Sequence, residues 1–418
     1  MEQMRDYMKI EEAAQAWGIS TRRVQALCAD GKIPGALRFS RDWMIPKNAQ
    51  KPADGRTKAA RQQSNPFTAD MPLPRKTPFL YMSDLYSTPG SAEASAAKLA
   101  DHMEAQMLFE AEIAYSQGNI DKVYEHANYL LQKHSGFYAI LSAGMLLALC
   151  AIWRGDLEMW RRAKIHIAEA PAKTDTDRDI ILFSITAVDS MLYDVTSFPE
   201  WFKIGCFEPL HKDALPAAKV FYAKYLYAAA YAVATKQLEQ PGVQGLALMR
   251  MLPFTFEPMI SQAQADRSII AELYLRMICA TVYHTGGDDA QAIRHLDRAI
   301  ALALPDKLYG LLAEYRRVLD SLLEQRVSRV DPQAWNEVNR LQKIYIAGWS
   351  KLSGIVRGRT IITTLSPKER EVAKLAAFGM QNSEIAAKLH MSLSGVKQAI
   401  RIVSEKSGVR REDFAAIL

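Results

Sequence analysis

Cysteine is scarce in this chain, with four in 418 residues at positions 28, 150, 206 and 279. They stand far apart, mostly among apolar neighbours, and form no CxxC pair and no Cys/His spacing of a metal site. A disulfide framework, a structural metal and a bound cofactor are therefore not expected, whereas reduced, buried thiols in a cytoplasmic protein are. Long hydrophobic runs are lacking too. The longest, AILSAGMLLALCAIW (139–153), falls short of the roughly 20 residues of a spanning helix, so a buried helix and no membrane partner are expected. The N-terminal MEQMRDYMKIEE has no apolar stretch of the kind a secretory signal needs. Also missing are a glycine-rich phosphate loop ending in Lys-Ser or Lys-Thr, an acidic receiver domain and a GxSxG elbow. His102, His126, His134 and His166 are scattered without matched ligand spacing, and Asp288-Asp289 reads as helix capping. No enzyme class is favoured.

What is present is uneven charge and helical period. The net charge is only +6, but the excess of Lys and Arg collects in residues 1–76 and, less strongly, in 366–418. Basic ends suit a phosphate footprint, although they can also be plain solvated surface. Composition divides the chain into a small unit at 1–57, a Pro- and Gly-rich linker at 58–80, and a helical region at 81–350. A short connector at 351–362 and a last unit at 363–418 follow. The helical region breaks at Gly118-Asn119, Gly155-Asp156 and Gly286-Gly287-Asp288. In each break a Gly supplies the positive φ of a helix end and an Asn or Asp caps the next helix. The expected fold class is mainly α.

Both ends carry one pattern. SEIAAKLHMSLSGVKQ (383–398) joins two helix-forming pieces through HMS, and EEAAQAWGISTRRVQ (11–25) matches it when Ser20 is laid on Ser392. Ser366, Pro367 and Glu369 predict a capping box with proline at the first helical position. Ser383 is the expected cap of a second helix and Ser392 of a third, whose inward side holds Val396, Ile400 and Val403. Such a sharp corner lets one helix lie in a major groove, N-terminus first.

LSPKEREV, the stretch Gly379-x-x-Asn382-x-Glu384-Ile385-Ala386, Ser392, Val396-Lys397 and Gly408-Val409 closely resemble the LuxR-type DNA-binding domain. The resemblance covers about fifty residues. It implies that Lys397, with Gln398 and Arg401 near it and Ser392 and Ser394 at the helix start, meets double-stranded DNA. The chain departs from the pattern at Gly395, where Thr is usual, at Ala399, where His is frequent, and at Ser407, where Leu is usual. Gly395 costs the helix roughly 1 kcal/mol relative to Ala. Without the surrounding motif, Lys397 and Arg401 would read as solvated charge.

MKIEEAAQAWGISTRRVQALCADGKIPGALRFSRDWMIPKNA looks like a winged helix-turn-helix of the MerR and excisionase kind. That resemblance brings Thr21, Arg22, Arg23 and Gln25 to the major groove, and Arg38 and Arg41 of the following hairpin to the backbone or minor groove. A small accessory domain for protein association is the competing reading. The helical middle resembles tetratricopeptide-type hairpins and, more loosely, the sensor region of MalT-like regulators, whose ATPase module is not found here. Its aromatic stripe, with Trp201, Tyr222 and Tyr225, is either hairpin core or the lining of a ligand pocket. Together these readings make a dimeric transcription regulator whose array senses a small molecule or a protein. The alternative is a helical adaptor whose terminal domains do not read DNA.

Overall fold

The computed structural model describes residues 7–29, 33, 35–39, 42–51, 88–100, 103–133, 136–192, 194, 197–211, 214–235, 245–358 and 365–417. It is mainly α, as the sequence implies. The chain divides into two compact units, Met1–Asp70 and Met71–Leu418. The expected linker at 58–80 lies outside the described residues.

In the first unit, helices α1 (Ile10–Trp17) and α2 (Thr21–Ala29) turn at Gly18, whose φ of 62° is the left-handed value a bare glycine takes without strain. The Lys9 amide donates to Glu12 Oε2 at 2.9 Å and starts α1. Strands β1 (Tyr7–Met8), β2 (Leu37–Phe39) and β3 (Asp42–Pro46) form an antiparallel sheet in the order β1-β3-β2. The hairpin register puts Arg38 opposite Trp43. Sequence alternation anticipates the hairpin but not β1, which is too short to show a period. Ala13, Val24, Leu27 and Ile45 close a small core beneath the sheet.

The second unit is a series of antiparallel helix pairs. Helices α3 (Ala92–Ala97), α4 (Met103–Gln117), α5 (Ile120–Gln132), α6 (Phe137–Arg154), α7 (Leu157–Ala168) and α8 (Asp175–Ser190) come first. A one-turn helix α9 (Glu200–Lys203) then leads to α10 (Leu215–Ala234), α11 (Gly245–Ala265), α12 (Ile269–Gly286) and α13 (Asp289–Ala303). Two long helices, α14 (Tyr309–Val330) and α15 (Pro332–Arg357), end the series. The corners form as expected. Gly118, Gly155 and Gly287 take positive φ, while Asn119, Asp156 and Asp288 cap the following helices by accepting from Lys122, Met159 and Gln291 amides.

The series closes on itself instead of running on as an open stack. Helix α15 packs on α6, and α14 packs on α4. Glycine makes this possible: a Cβ at Gly348 would stand 2.1 Å from the Trp153 carbonyl oxygen, and one at Gly310 would stand 2.6 Å from that of Tyr115. Helix α6 is long and apolar enough to cross a membrane by length and composition, yet 78% of it is buried against its neighbours. One expected boundary is corrected. Residues 351–357 are the last two turns of α15, which stops at Gly358 with φ 62°, so no connector begins at 351. Favourable helix period from Tyr345 to Leu352, which buries Trp349 and Leu352, carries α15 past that point.

The C-terminal part holds α16 (Pro367–Ala377), α17 (Asn382–Lys388) and α18 (Leu393–Ser407), then a 3-10 turn at Arg411–Ala416. Val372, Ile385, Val396, Val403 and Phe414 form its core.

Candidate nucleic-acid interface and the cavity behind it

Helix α18 begins where the sequence places it. Ser392 Oγ accepts from the Gly395 amide at 3.1 Å and lies 3.1 Å from the Ser394 hydroxyl. The corner before it turns through His390, a non-glycine residue at φ 49°. With Val396, Ala399 and Val403 turned into the core, Ser392, Ser394, Lys397, Gln398 and Arg401 are exposed on the other side. Arg401 lies 3.6 Å from Glu405, an exposed i,i+4 contact of little energetic weight. A Cβ at Gly395 would press within 3.1 Å of the Ser392 hydroxyl, so alanine there would crowd the cap while gaining helix propensity. Ser407, the residue in place of the usual Leu, turns its hydroxyl onto the Val403 carbonyl at 2.6 Å.

Ser366 and Glu369 form the expected capping box, with Ser366 N to Glu369 Oε2 at 2.8 Å and Glu369 N to Ser366 Oγ at 3.3 Å. Ser383 is not a cap. Gln381 holds that position and its amide donates to Glu384 Oε2 at 2.6 Å, leaving Ser383 within the first turn. Both residues are polar and two apart, and only the backbone decides between them.

In the first unit Thr21, Arg22, Arg23 and Gln25 all sit exposed at the start of α2, after Ser20, whose Oγ accepts from the Arg23 amide at 3.3 Å. The exposed Arg38 guanidinium lies 5.9 Å over the Trp43 ring. Arg41 lies outside the described residues.

Within the second unit the C-terminal helices are pinned to the array by charge. Arg370 of α16 pairs with Asp320 of α14 at 3.2 Å, and Asp320 also takes a hydrogen bond from Arg316. Asp320 is 2% exposed and kinks α14 at φ 40°, ψ −115°. Lys388 donates to the Thr285 carbonyl at 3.3 Å, and Phe378 meets Tyr231 edge-on at 5.4 Å. His284 bridges Asp289 (Nδ1, 2.7 Å) and Glu371 of α16 (Nε2, 3.6 Å). Burial draws its pKa down, but the bonds to the two carboxylates more than offset this and leave it above the ordinary value.

Behind these contacts lies a cavity of about 430 Å³ walled by α10, α12, α14, α15, α16 and α17. Tyr227, Tyr231, Ile278, Val318, Ile346 and Trp349 give it an apolar side. The expected pocket residues are elsewhere. Tyr222, Tyr225 and Trp201 belong to a ring cluster around Phe202, with centroids 5.7, 6.2 and 6.0 Å from it, and none lines this cavity. Tyr227 and Tyr231 point away from that cluster because they fall on a different face of the same helix. The cavity joins positions from Ser190 to Ala415, and no local pattern in the sequence signals it.

One further polar group comes together that sequence spacing does not show. Glu257, Cys279 and His295 bring potential ligand atoms within 4.8 Å of one another. His295 Nε2 lies 2.9 Å from Glu257 Oε1, and its ring stacks on Tyr283 at 5.6 Å. Burial, with Glu257 beside it, pushes the Cys279 thiol up to about 12, and Cys279 Sγ lies 3.9 Å from His295 Nε2, which links the three side chains in one buried cluster. The four cysteines are unpaired, three of them buried.

No match to the chain was found among curated proteins or among solved structures. Residues 363–416 match the family described as bacterial regulatory proteins, luxR family (GerE), which makes this segment a LuxR-type helix-turn-helix domain and the chain, in general terms, a DNA-binding regulatory protein.

Proposed function

We propose that this protein is a cytoplasmic, homodimeric transcription regulator that reads duplex DNA with α18 under the control of its helical array. The observation that carries the reading is the exposed polar row on α18 inside the matched LuxR-type segment. Ser392 and Ser394 stand at the helix N-terminus, where hydroxyls and backbone amides suit a phosphate. Lys397 and Arg401 serve phosphate or guanine, and Gln398 can pair adenine. The first unit is a second reader of MerR-like winged type, with Thr21, Arg22, Arg23 and Gln25 directed to the major groove and Arg38 to the backbone or minor groove. Its two-helix corner and exposed Arg cluster support that role. The array, of tetratricopeptide-like helix pairs, receives a small molecule or a protein, and the ion pairs between it and α16 give it a handle on the reader.

The test is a selection of genomic DNA fragments on the full chain, followed by fluorescence anisotropy across a salt series. A defined motif that is enriched by the wild type and lost with Lys397→Ala combined with Arg401→Ala is the expected result. Binding that ignores salt, or a motif unaffected by the double substitution, would refute it, because phosphate contacts release counterions and must weaken as salt rises.

A further inference from the structure

We infer that the cavity between the array and the C-terminal domain is an effector site for a small organic anion with an aromatic or otherwise apolar body. The inference rests on the proposed reading that the array governs the DNA-binding domain, and it supplies the site and the ligand class.

Charge around the cavity is lopsided. Lys224, Arg317, Arg357, Arg370, Lys374 and Lys388 face it, against Glu314, Asp320 and Glu371. The acids are already committed. Asp320 holds Arg316 and Arg370, Glu371 lies against His284, and Glu314 accepts from the Tyr115 and Tyr274 hydroxyls. Two of the cations are not. Among the described residues, neither the Lys224 nor the Lys374 ammonium closes an ion pair within 4.0 Å, and Glu314 acts on Lys224, and Glu371 on Lys374, only from farther off. Lys224 Nζ instead rests 3.1 Å from Met191 Sδ and 4.6 Å from the centre of the Tyr274 ring, a sulfur and a π-face that leave donors unused.

Removal from water is costly for an ammonium that carboxylates beyond ion-pair distance, Glu314 for Lys224 and Glu371 and Asp320 for Lys374, offset only in part. Burial accordingly pulls Lys224 below the ordinary lysine value and brings Lys374 down to about 8. A third polar group points the same way: the Thr285 hydroxyl, on a residue 3% exposed, lines the cavity and has no hydrogen-bond partner among the described residues. An anion placed here would satisfy both lysines and could accept from Thr285. The apolar wall of Tyr227, Tyr231, Ile278, Val318, Ile346 and Trp349 would take its body, and the volume of about 430 Å³ is that of a site for a small molecule.

The position of the two lysines gives the site its consequence. Lys224 belongs to α10 of the array and Lys374 to α16 of the reader. An anion held by both adds a bond between the two parts, beside Arg370–Asp320 and His284–Glu371. Any difference in ligand affinity between reader-bound and reader-released states must then appear as a change in DNA affinity.

The probe is 8-anilino-1-naphthalenesulfonate, an anion on an aromatic body, titrated into the full chain by fluorescence. N-phenyl-1-naphthylamine, which has the same body without the charge, is the comparison. Saturable binding of one anilinonaphthalenesulfonate per chain is expected. Lys224→Met combined with Lys374→Met should weaken it at least ~10-fold while changing the uncharged probe less than ~2-fold, since 1.4 kcal/mol is tenfold and both losses are electrostatic. Ala228→Trp, which fills the cavity without touching a charge, should remove both probes. Thermal unfolding of each variant shows that it is folded. No saturable site in the wild type, equal weakening of the two probes, or binding that survives Ala228→Trp would overturn the assignment. DNA affinity of the same proteins is followed with and without the anion. A change of at least ~3-fold confirms the effector role through linkage. A chain that binds the anion but no DNA keeps the anion site and refutes the regulator reading, so the two failures are told apart.

Discussion

The molecule builds a two-helix corner twice, and the two copies are stabilised differently. In the first unit the corner is bought with glycine: Gly18 sits at φ 62° and the helix that follows it spans nine residues. In the C-terminal domain His390 accepts a left-handed conformation at φ 49°, and the helix that follows spans fifteen. The second copy can hold that strain because more surrounds it. It has a third helix, a capping box at Ser366, a core closed by Phe414, and ion pairs from α16 to the array. The first copy relies on a sheet of three short strands and on Lys51 donating to the Trp17 carbonyl at 2.9 Å. A shared sequence pattern therefore fixes the corner, while helices and partners outside the pattern decide how firmly it is held.

The largest expected effect strikes the ion-pair anchorage of the C-terminal copy within the second unit. Asp320→Asn removes the one anion shared by Arg316 and Arg370, and leaves two guanidinium groups in a site where Asp320 itself is 2% exposed. Breaking a buried pair from one side costs about 3–5 kcal/mol. Chemical denaturation of the full chain should show that loss in the transition of residues 71–418, with any separate transition of the first unit unmoved. A loss below about 1 kcal/mol would mean that the ion pair is not what holds α16 to α14.

Next in size is the difference in DNA contact. Lys397→Ala with Arg401→Ala should weaken binding about 100-fold or more and reduce the salt slope by about two, at about 1–3 kcal/mol per contact. Arg22→Ala with Arg23→Ala, on the shorter helix, should weaken it about tenfold. Equal losses would make the two ends equivalent readers. A reversed order would move the principal reader to the N-terminus.

Caps come third. Ser392→Ala removes the oxygen that accepts from Gly395 at 3.1 Å, and Ser20→Ala the one that accepts from Arg23 at 3.3 Å. Each should cost about 1 kcal/mol of the stability of its own unit, measured by urea midpoint. The cost should be felt more in DNA affinity at the first corner, whose short helix has fewer other supports. A larger loss at Ser392 would reverse the ranking of the two corners.

These contrasts also explain what the sequence discloses. The corners at Gly118, Gly155 and Gly287 are legible because a left-handed residue followed by an Asn or Asp cap is a local requirement. The capping box at Ser366 is legible for the same reason. Choosing Ser383 over Gln381 fails because both can start a helix and the choice lies in the backbone of the preceding turn. Tyr222 and Tyr225 stand out by composition, yet Tyr227 and Tyr231 reach the cavity, and only the packing of α10 shows which face meets which neighbour. Arg370 reads as part of the LSPKEREV motif, but its partner Asp320 lies 50 residues earlier. The array's closure through Gly310 and Gly348 is equally long-range, so helix period shows the elements and not their return path.

The smallest effect is a pH dependence confined to the C-terminal copy. His284 faces Asp289 of α13 and Glu371 and Lys374 of α16, with Lys388 of α17 beside Asp289. Its folded pKa is raised, so the bridge stabilises fully below the unfolded value near about 6.5 and is lost as pH rises through the folded value. Lys374 acts with the opposite sign. Its folded pKa of about 8 lies below that of the unfolded chain, so the folded form sheds its proton first and stability rises with pH above about 8. Comparing wild type with His284→Gln, read below pH 8 where Lys374 is mostly charged, isolates most of the histidine contribution. Their difference in unfolding free energy should favour the wild type near pH 6 and shrink towards pH 8, by under about 1 kcal/mol. Among the described residues of the first unit there is no such bridge, so a matched series on that unit's own transition should be flat over the same window. A difference that grows with pH would show that His284 stabilises the contact as the neutral ring, and that the array grips its reader without the histidine charge.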